Sequence, residues 1–137
     1  MGRIMAIDYG KKRSGIAVTD PFQMIATGLT TVDSQDLRNW LKAYFEKEPV
    51  DEVIIGLPFA LDGSDTDGTK PVKDFVRLFK KDNPGMPIVT VDEQFTSKLA
   101  AQTLVNSGLK KKDRQNKKLL DEVAATIMLQ DYLHARQ

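Results

Sequence analysis

Near residue 33 the hydrophobic rhythm of this chain changes from alternating to helical, and that change decides the fold class. Before it, Arg3 to Tyr9 reads as one strand and Gly15-Ile16-Ala17-Val18-Thr19 as a second. The short loop between them is rich in Gly, Lys and Ser, a hairpin signal with a loop longer than the tightest turns. Asp20-Pro21 ends the second strand, and Ile25 to Val32 reads as a third, weakened by Gly28. After it, Ser34 is a good helix N-cap. Leu37, Trp40, Leu41, Tyr44 and Phe45 then recur at helical spacing until Pro49 stops the run. Val53-Ile54-Ile55 and Ile88-Val89-Thr90-Val91 are short and apolar on both faces, as buried parallel strands are. Between them, Pro71 suits the first position of a helix whose stripe is Val72, Phe75, Val76 and Phe79. Asn83-Pro84-Gly85 breaks that helix. Thr96 or Ser97 can cap another, carrying Leu99, Ala100, Thr103 and Leu104 and ended by Gly108. A last helix covers roughly Lys117 to His134.

The order β-β-β-α-β-α-β-α-α predicts an α/β fold: a mixed five-stranded sheet with helices on both faces and right-handed crossovers. In such sheets ligands gather at the carboxyl ends of strands, near a topological switch point. A chain of 137 residues suits one domain, 1–137, with a real core. It shows no repeat, low-complexity tract or linker. No apolar stretch approaches the roughly 18 residues of a membrane span, and charge at Arg3 and Asp8 interrupts any signal peptide. The absence of cysteine excludes disulfides, thiolate zinc sites and cysteine nucleophiles. A cytoplasmic location is the expectation.

Three acids stand out by position. Asp8 closes an apolar strand and enters a loop carrying Lys11, Lys12 and Arg13. Glu93 follows the apolar run Pro87 to Val91. Asp121 opens a face that continues with Ala124, Ala125 and Met128, so it looks toward the core side, where a lone acid is costly unless hydrogen-bonded or metal-bound. Carboxylates this close repel unless a cation joins them. Mg²⁺ takes such oxygen ligands together with substrate phosphate and water, and two ions about 3.5–4 Å apart can stabilise both the attacking and leaving oxygens of phosphodiester hydrolysis. Plainer readings compete. Asp8 could cap the turn before Gly10. Asp92 or Glu93 could complement a helix dipole near Thr96, and Glu122 rivals Asp121. Pattern alone does not choose within either pair. Asp62, Asp65 and Asp67 fall in a Gly- and Ser-rich loop that reads as solvated, and His134 reads as solvent-facing at a helix end.

The net charge of +1 does not mark a nucleic-acid binder, but its distribution does more. Residues 33–93 carry 13 acids against 8 basic residues, whereas the rest of the chain carries 6 against 12. The basic residues include Lys11, Lys12 and Arg13 after Asp8, and Lys110, Lys111, Lys112, Arg114, Lys117 and Lys118 before Asp121. Such runs supply sequence-independent affinity for phosphate backbones. With only Tyr9 and Phe95 near, backbone and shape recognition is expected rather than base stacking. A solvated linker is the alternative for the second run.

Asp8-Tyr9-Gly10-Lys11-Lys12-Arg13-Ser14-Gly15-Ile16-Ala17 resembles the first signature of the YqgF (RuvX-like) family. Gly56-Leu57-Pro58 with Asp62-Gly63-Ser64 resembles the second, Asp92-Glu93-Gln94-Phe95-Thr96-Ser97 the third, and Asp121-Glu122-Val123-Ala124-Ala125 with Leu129-Gln130-Asp131-Tyr132-Leu133 the fourth. The motifs keep their order over nearly the whole chain. The resemblance implies an RNase H-like fold related to RuvC-type resolvases. It also implies a Holliday junction resolvase or a nuclease maturing the 5′ end of pre-16S rRNA. It carries over Asp8, Glu93 and Asp121 as catalytic residues and ligands of Mg²⁺ or Mn²⁺, and places Gly10, Lys12, Arg13 and Ser97 on motif positions. Gln94 departs from the family's usual Arg, which removes a positive charge expected beside the scissile phosphate.

The resulting expectation is a metal-dependent endonuclease acting on branched DNA or precursor rRNA. Symmetric junction cleavage would call for a homodimer. An actin-like or sugar-kinase ATPase, which also opens with an Asp-x-Gly hairpin, needs a duplicated domain that 137 residues do not supply. A non-catalytic nucleic-acid-binding protein of RNase H-like fold is the alternative from another class.

Overall fold

A computed structural model describes residues 2–58, 64–92 and 117–136, the side chains of Lys117 and Lys118 excepted. Its strands are β1 (Arg3–Asp8), β2 (Arg13–Thr19), β3 (Ala26–Asp33), β4 (Val50–Leu57) and β5 (Ile88–Asp92). Its helices are α1 (Leu37–Lys47), preceded by a 3-10 turn over Ser34–Asp36, then α2 (Thr69–Asp82) and α3 (Lys117–Arg136). The strands form one five-stranded sheet in the order β3-β2-β1-β4-β5. β1 pairs antiparallel with β2 and parallel with β4, so the sheet turns from meander to crossover on this central strand. β2–β3 is antiparallel and β4–β5 parallel. The carboxyl ends of β1, β4 and β5 therefore share one edge with the start of β2.

Alternation along the strands divides the core. Met5, Ile7, Ile16, Val18, Val53 and Ile55 face one way, against Leu37 and Leu41 of α1 and Val72, Phe75 and Phe79 of α2. Ile4, Ala6, Ala17 and Ile54 face the other way, against Ala125, Met128, Leu129 and Leu133 of α3. The first layer is filled by large side chains. The second is thin, because alanines on β1 and β2 meet alanines on α3. That thinness lets α3 approach the sheet backbone closely. No described helix is long and apolar enough to cross a membrane.

The mixed sheet and the helices on both faces match the pattern reading, with four local differences. Gly28 does not interrupt its strand: the register steps from Ile16↔Thr30 to Ala17↔Gly28, so Leu29 is absorbed as a bulge. β4 is longer than its apolar centre and begins at Val50. Pro71 is the third residue of α2 rather than the first. Thr69 starts the helix earlier because its buried hydroxyl donates to the Pro58 carbonyl and accepts from the Thr66 amide at 2.9 Å. Proline is still tolerated there, since first-turn amides lack helical partners. Ser34, finally, caps nothing. The caps of the 3-10 turn and of α1 are Asp33 and Asp36, neither with a side-chain bond. The helix expected over Thr96 to Gly108 lies outside the described residues.

Candidate functional site

Asp8 ends β1 in phase with Ile4 and Ala6, on the face covered by α3. Its strand partner is Gly15. A Cβ on Gly15 would stand 2.0 Å from the main-chain oxygen of Asp121 and 2.9 Å from the amide nitrogen of Glu122. Only a residue without a side chain lets α3 sit this near. The contact sets the Asp121 main chain against the strand position that pairs with Asp8. Ala124, Ala125 and Met128 are buried, so the inward-looking face read from the spacing is real.

Arg13, at the start of β2, donates from Nε to Oδ2 of Asp121 at 3.4 Å. Both side chains keep about a quarter of their surface exposed, 28% and 27%. A pair so hydrated is worth under about 1 kcal/mol. Its importance is positional. The Arg13 side chain rests on a carboxylate that the sequence places 108 positions away, while Lys11 and Lys12 beside it stay exposed. Glu122, the rival of Asp121, is set differently. Its Cβ lies 3.7 Å from the point a Cβ on Gly28 would occupy, over β3, and burial pushes its carboxyl above the usual range.

The loop between β1 and β2 is held on all sides. Gly10 turns so tightly that a Cβ there would meet the Arg13 carbonyl oxygen at 2.5 Å. Tyr9 stacks on Phe75 of α2 at 5.0 Å between centroids. The Ser34 amide donates to the Lys12 carbonyl at 2.9 Å, and the Ser34 hydroxyl donates to the Gly10 carbonyl. The fully buried Ser14 hydroxyl meets that of Ser34 at 2.8 Å. Sequence reading passed over Ser14 and gave Ser34 a different task. No local pattern connects either hydroxyl to a loop carbonyl.

On the far side of β1, Asp92 ends β5 in register with Leu57. Leu57 packs on the α1/α2 core, so Asp92 is out of phase with Asp8. Glu93, Gln94, Phe95 and Ser97 lie outside the described residues, as do Asp62, Lys110, Lys111, Lys112 and Arg114. Among the described residues no cluster of three or more His, Asp or Glu side chains is arranged to hold a metal. Asp65 reaches Lys73 at 4.0 Å in solvent. His134 is exposed near the end of α3, as expected of it.

Residues 2–135 match the family described as RuvX, Holliday junction resolvase. The chain belongs to the RuvX family. Membership of a family so described is membership of a family of phosphodiester hydrolases. A relative from Bacteroides thetaiotaomicron is 53% identical over 137 residues, covering 100% of this chain and 99% of the relative. Another, from Flavobacterium psychrophilum, is 56% identical over 133 residues and 97% of each chain. Both bear the name of a candidate pre-16S rRNA nuclease. Among solved structures, T. thermophilus RuvC in complex with a Holliday junction substrate superposes with a TM-score of 0.59 at 17% identity. The match covers 99% of this chain and 96% of RuvC. The RuvX-family chain thus shares the RNase H-like fold of RuvC.

Proposed function

We propose that this chain is a divalent-metal-dependent endonuclease that cuts a phosphodiester bond in precursor 16S rRNA or in branched DNA. The observation that carries the proposal is the close approach of the Asp121 main chain to Gly15, the strand partner of Asp8, beside an exposed basic loop. The donor chemistry fits a hard cation, since both side chains offer carboxylate oxygens. A guanidinium already rests on Asp121, so the edge accommodates positive charge. Asp8, Asp121 and Glu93 would hold Mg²⁺ or Mn²⁺. Such an ion, when bound, supplies Lewis acidity toward the phosphodiester and lowers the pKa of water.

The chain's own residues do the rest. Lys11 and Lys12 draw in and orient the sugar-phosphate strand, and Arg13 shares its charge between that strand and Asp121. Lys110, Lys111, Lys112 and Arg114 would add sequence-independent affinity for phosphate. A junction cut symmetrically would need two copies of the chain.

The test is a Mg²⁺ and Mn²⁺ titration with end-labelled branched DNA and rRNA precursor, with products mapped to the nucleotide. Cutting of one substrate that depends on metal and on Asp8 supports the proposal and chooses the substrate. Binding of both substrates without cutting by either metal would replace it with a non-catalytic binding role.

A further inference from the structure

We infer that Ser34 is a positioning residue, holding the loop that carries Lys11, Lys12 and Arg13 against the carboxylate edge. The inference rests on the nuclease reading, and it goes beyond that reading's metal ligands and phosphate contacts. Ser34 lies in the 3-10 turn after β3, outside every motif that identifies the family. Its two donors both reach into the β1–β2 loop. The amide takes the Lys12 carbonyl and the hydroxyl takes the Gly10 carbonyl, so one residue binds the main chain on either side of Lys11.

A serine hydroxyl has a single proton. With that proton on the Gly10 carbonyl, Ser34 Oγ can only accept from Ser14, which donates across 2.8 Å. A fully buried hydroxyl such as that of Ser14 needs a partner. The relay Ser14 to Ser34 to Gly10 supplies one and links the second residue of β2 to the far side of the loop. The helix forgoes a cap for this arrangement. Serine is among the best capping residues, yet neither the 3-10 turn nor α1 receives a side-chain cap.

A clamp of this kind sets where the loop's charges stand without touching the substrate. Losing it should lower kcat and leave affinity alone, because Lys11, Lys12 and Arg13 keep their charges. The experiment compares full-length wild type, Ser34→Ala, Ser34→Thr and Ser14→Ala. The measurements are amide hydrogen exchange by residue without metal, substrate affinity in chelator, and kcat and KM with metal.

In Ser34→Ala, exchange at the amide of residue 34, which donates to the Lys12 carbonyl, should rise about tenfold, the loss of one net hydrogen bond, with the rest of the sheet unchanged. Its kcat should fall by a similar factor at unchanged chelator affinity. Ser34→Thr, which keeps the hydroxyl, should restore both, and Ser14→Ala should give a smaller effect of the same pattern. Unchanged exchange at the amide of residue 34, a rise spread evenly over the chain, or an unaltered kcat would each overturn the inference. A wild-type protein that cuts neither substrate would instead sink the nuclease reading, and the exchange comparison would still decide whether the clamp exists.

Discussion

The two ends of β2 are secured by opposite means. At its carboxyl end, Asp20 accepts from the amides of Phe22, Met24 and Ile25 at 2.8–3.1 Å, all partners within five positions in sequence. Gln23 takes the left-handed conformation there, with φ of 60°, and its side chain bonds the Gly2 carbonyl and Asp51. At its amino end, the loop from Tyr9 to Arg13 is held by Ser34, 24 positions from Gly10, and by Asp121, 108 positions from Arg13. The far turn can largely form with its own hairpin. The site end takes shape only once the turn before α1 and the start of α3 have docked. The region with the proposed chemistry is therefore the one that depends most on the complete fold.

The contrast can be broken hardest at Asp8. Asp8→Asn should remove cleavage on either substrate while leaving the thermal midpoint nearly unchanged. Retained wild-type cutting would take Asp8 out of the mechanism. Gly15→Ala comes next. Its methyl would collide with the Asp121 main chain, so denaturant titration should show a loss of about 1–3 kcal/mol, as for overpacked cores, together with weakened cleavage. Gly28→Ala should cost less, because the nearest atom is the Thr126 hydroxyl at 3.1 Å rather than backbone.

Arg13→Gln should change stability by less than about 1 kcal/mol, given the pair's exposure. It should lower the metal concentration for half-maximal cleavage, since a competitor for Asp121 is gone. It should also reduce the salt slope of substrate binding by about one. A half-saturation point that rises would mean Arg13 supports the ion instead of competing with it.

The smallest effect lies at the other end of the strand. Backbone amides from Ile25, Met24 and Phe22 hold the Asp20 carboxyl below its ordinary value. The folded state thus favours ionised Asp20. That stability is complete above the usual carboxylate pKa, near 4, and fades as pH drops through the lowered value. Asp82 has the same sign through Arg38, so the relevant measurement is wild type minus Asp20→Asn. This difference in thermal midpoint should shrink below about pH 4, and cleavage at neutral pH should be unaffected.

Much of the framework was readable from the chain because burial imposes periods that sequence preserves. Ile4 and Ala6 against Met5 and Ile7 announce a strand covered on both faces, and Val72, Phe75 and Phe79 announce a helix stripe. The buried face of α3 that follows Asp121 was readable for the same reason, through Ala124, Ala125 and Met128. The misreadings share one cause. Ser34 has strong capping chemistry, but the carbonyls it binds are chosen by how β3 returns beside the loop. The ion pair of Arg13 was out of view for the same reason, since its partner Asp121 arrives from the far end of the chain. Thr69 moved the start of α2 through a bond to the end of β4. For Ser34 and Thr69 a correct local preference was redirected by a distant partner, which periodicity does not record.

Gly15 has a bearing on engineering. An automated search for a sturdier protein would find a glycine in the middle of a well-ordered β-strand and recommend valine or threonine. By the strand's own propensities the advice is sound. Here the missing methyl is what lets the Asp121 main chain lie against the strand partner of Asp8, so such a change would trade the proposed chemistry for strand propensity.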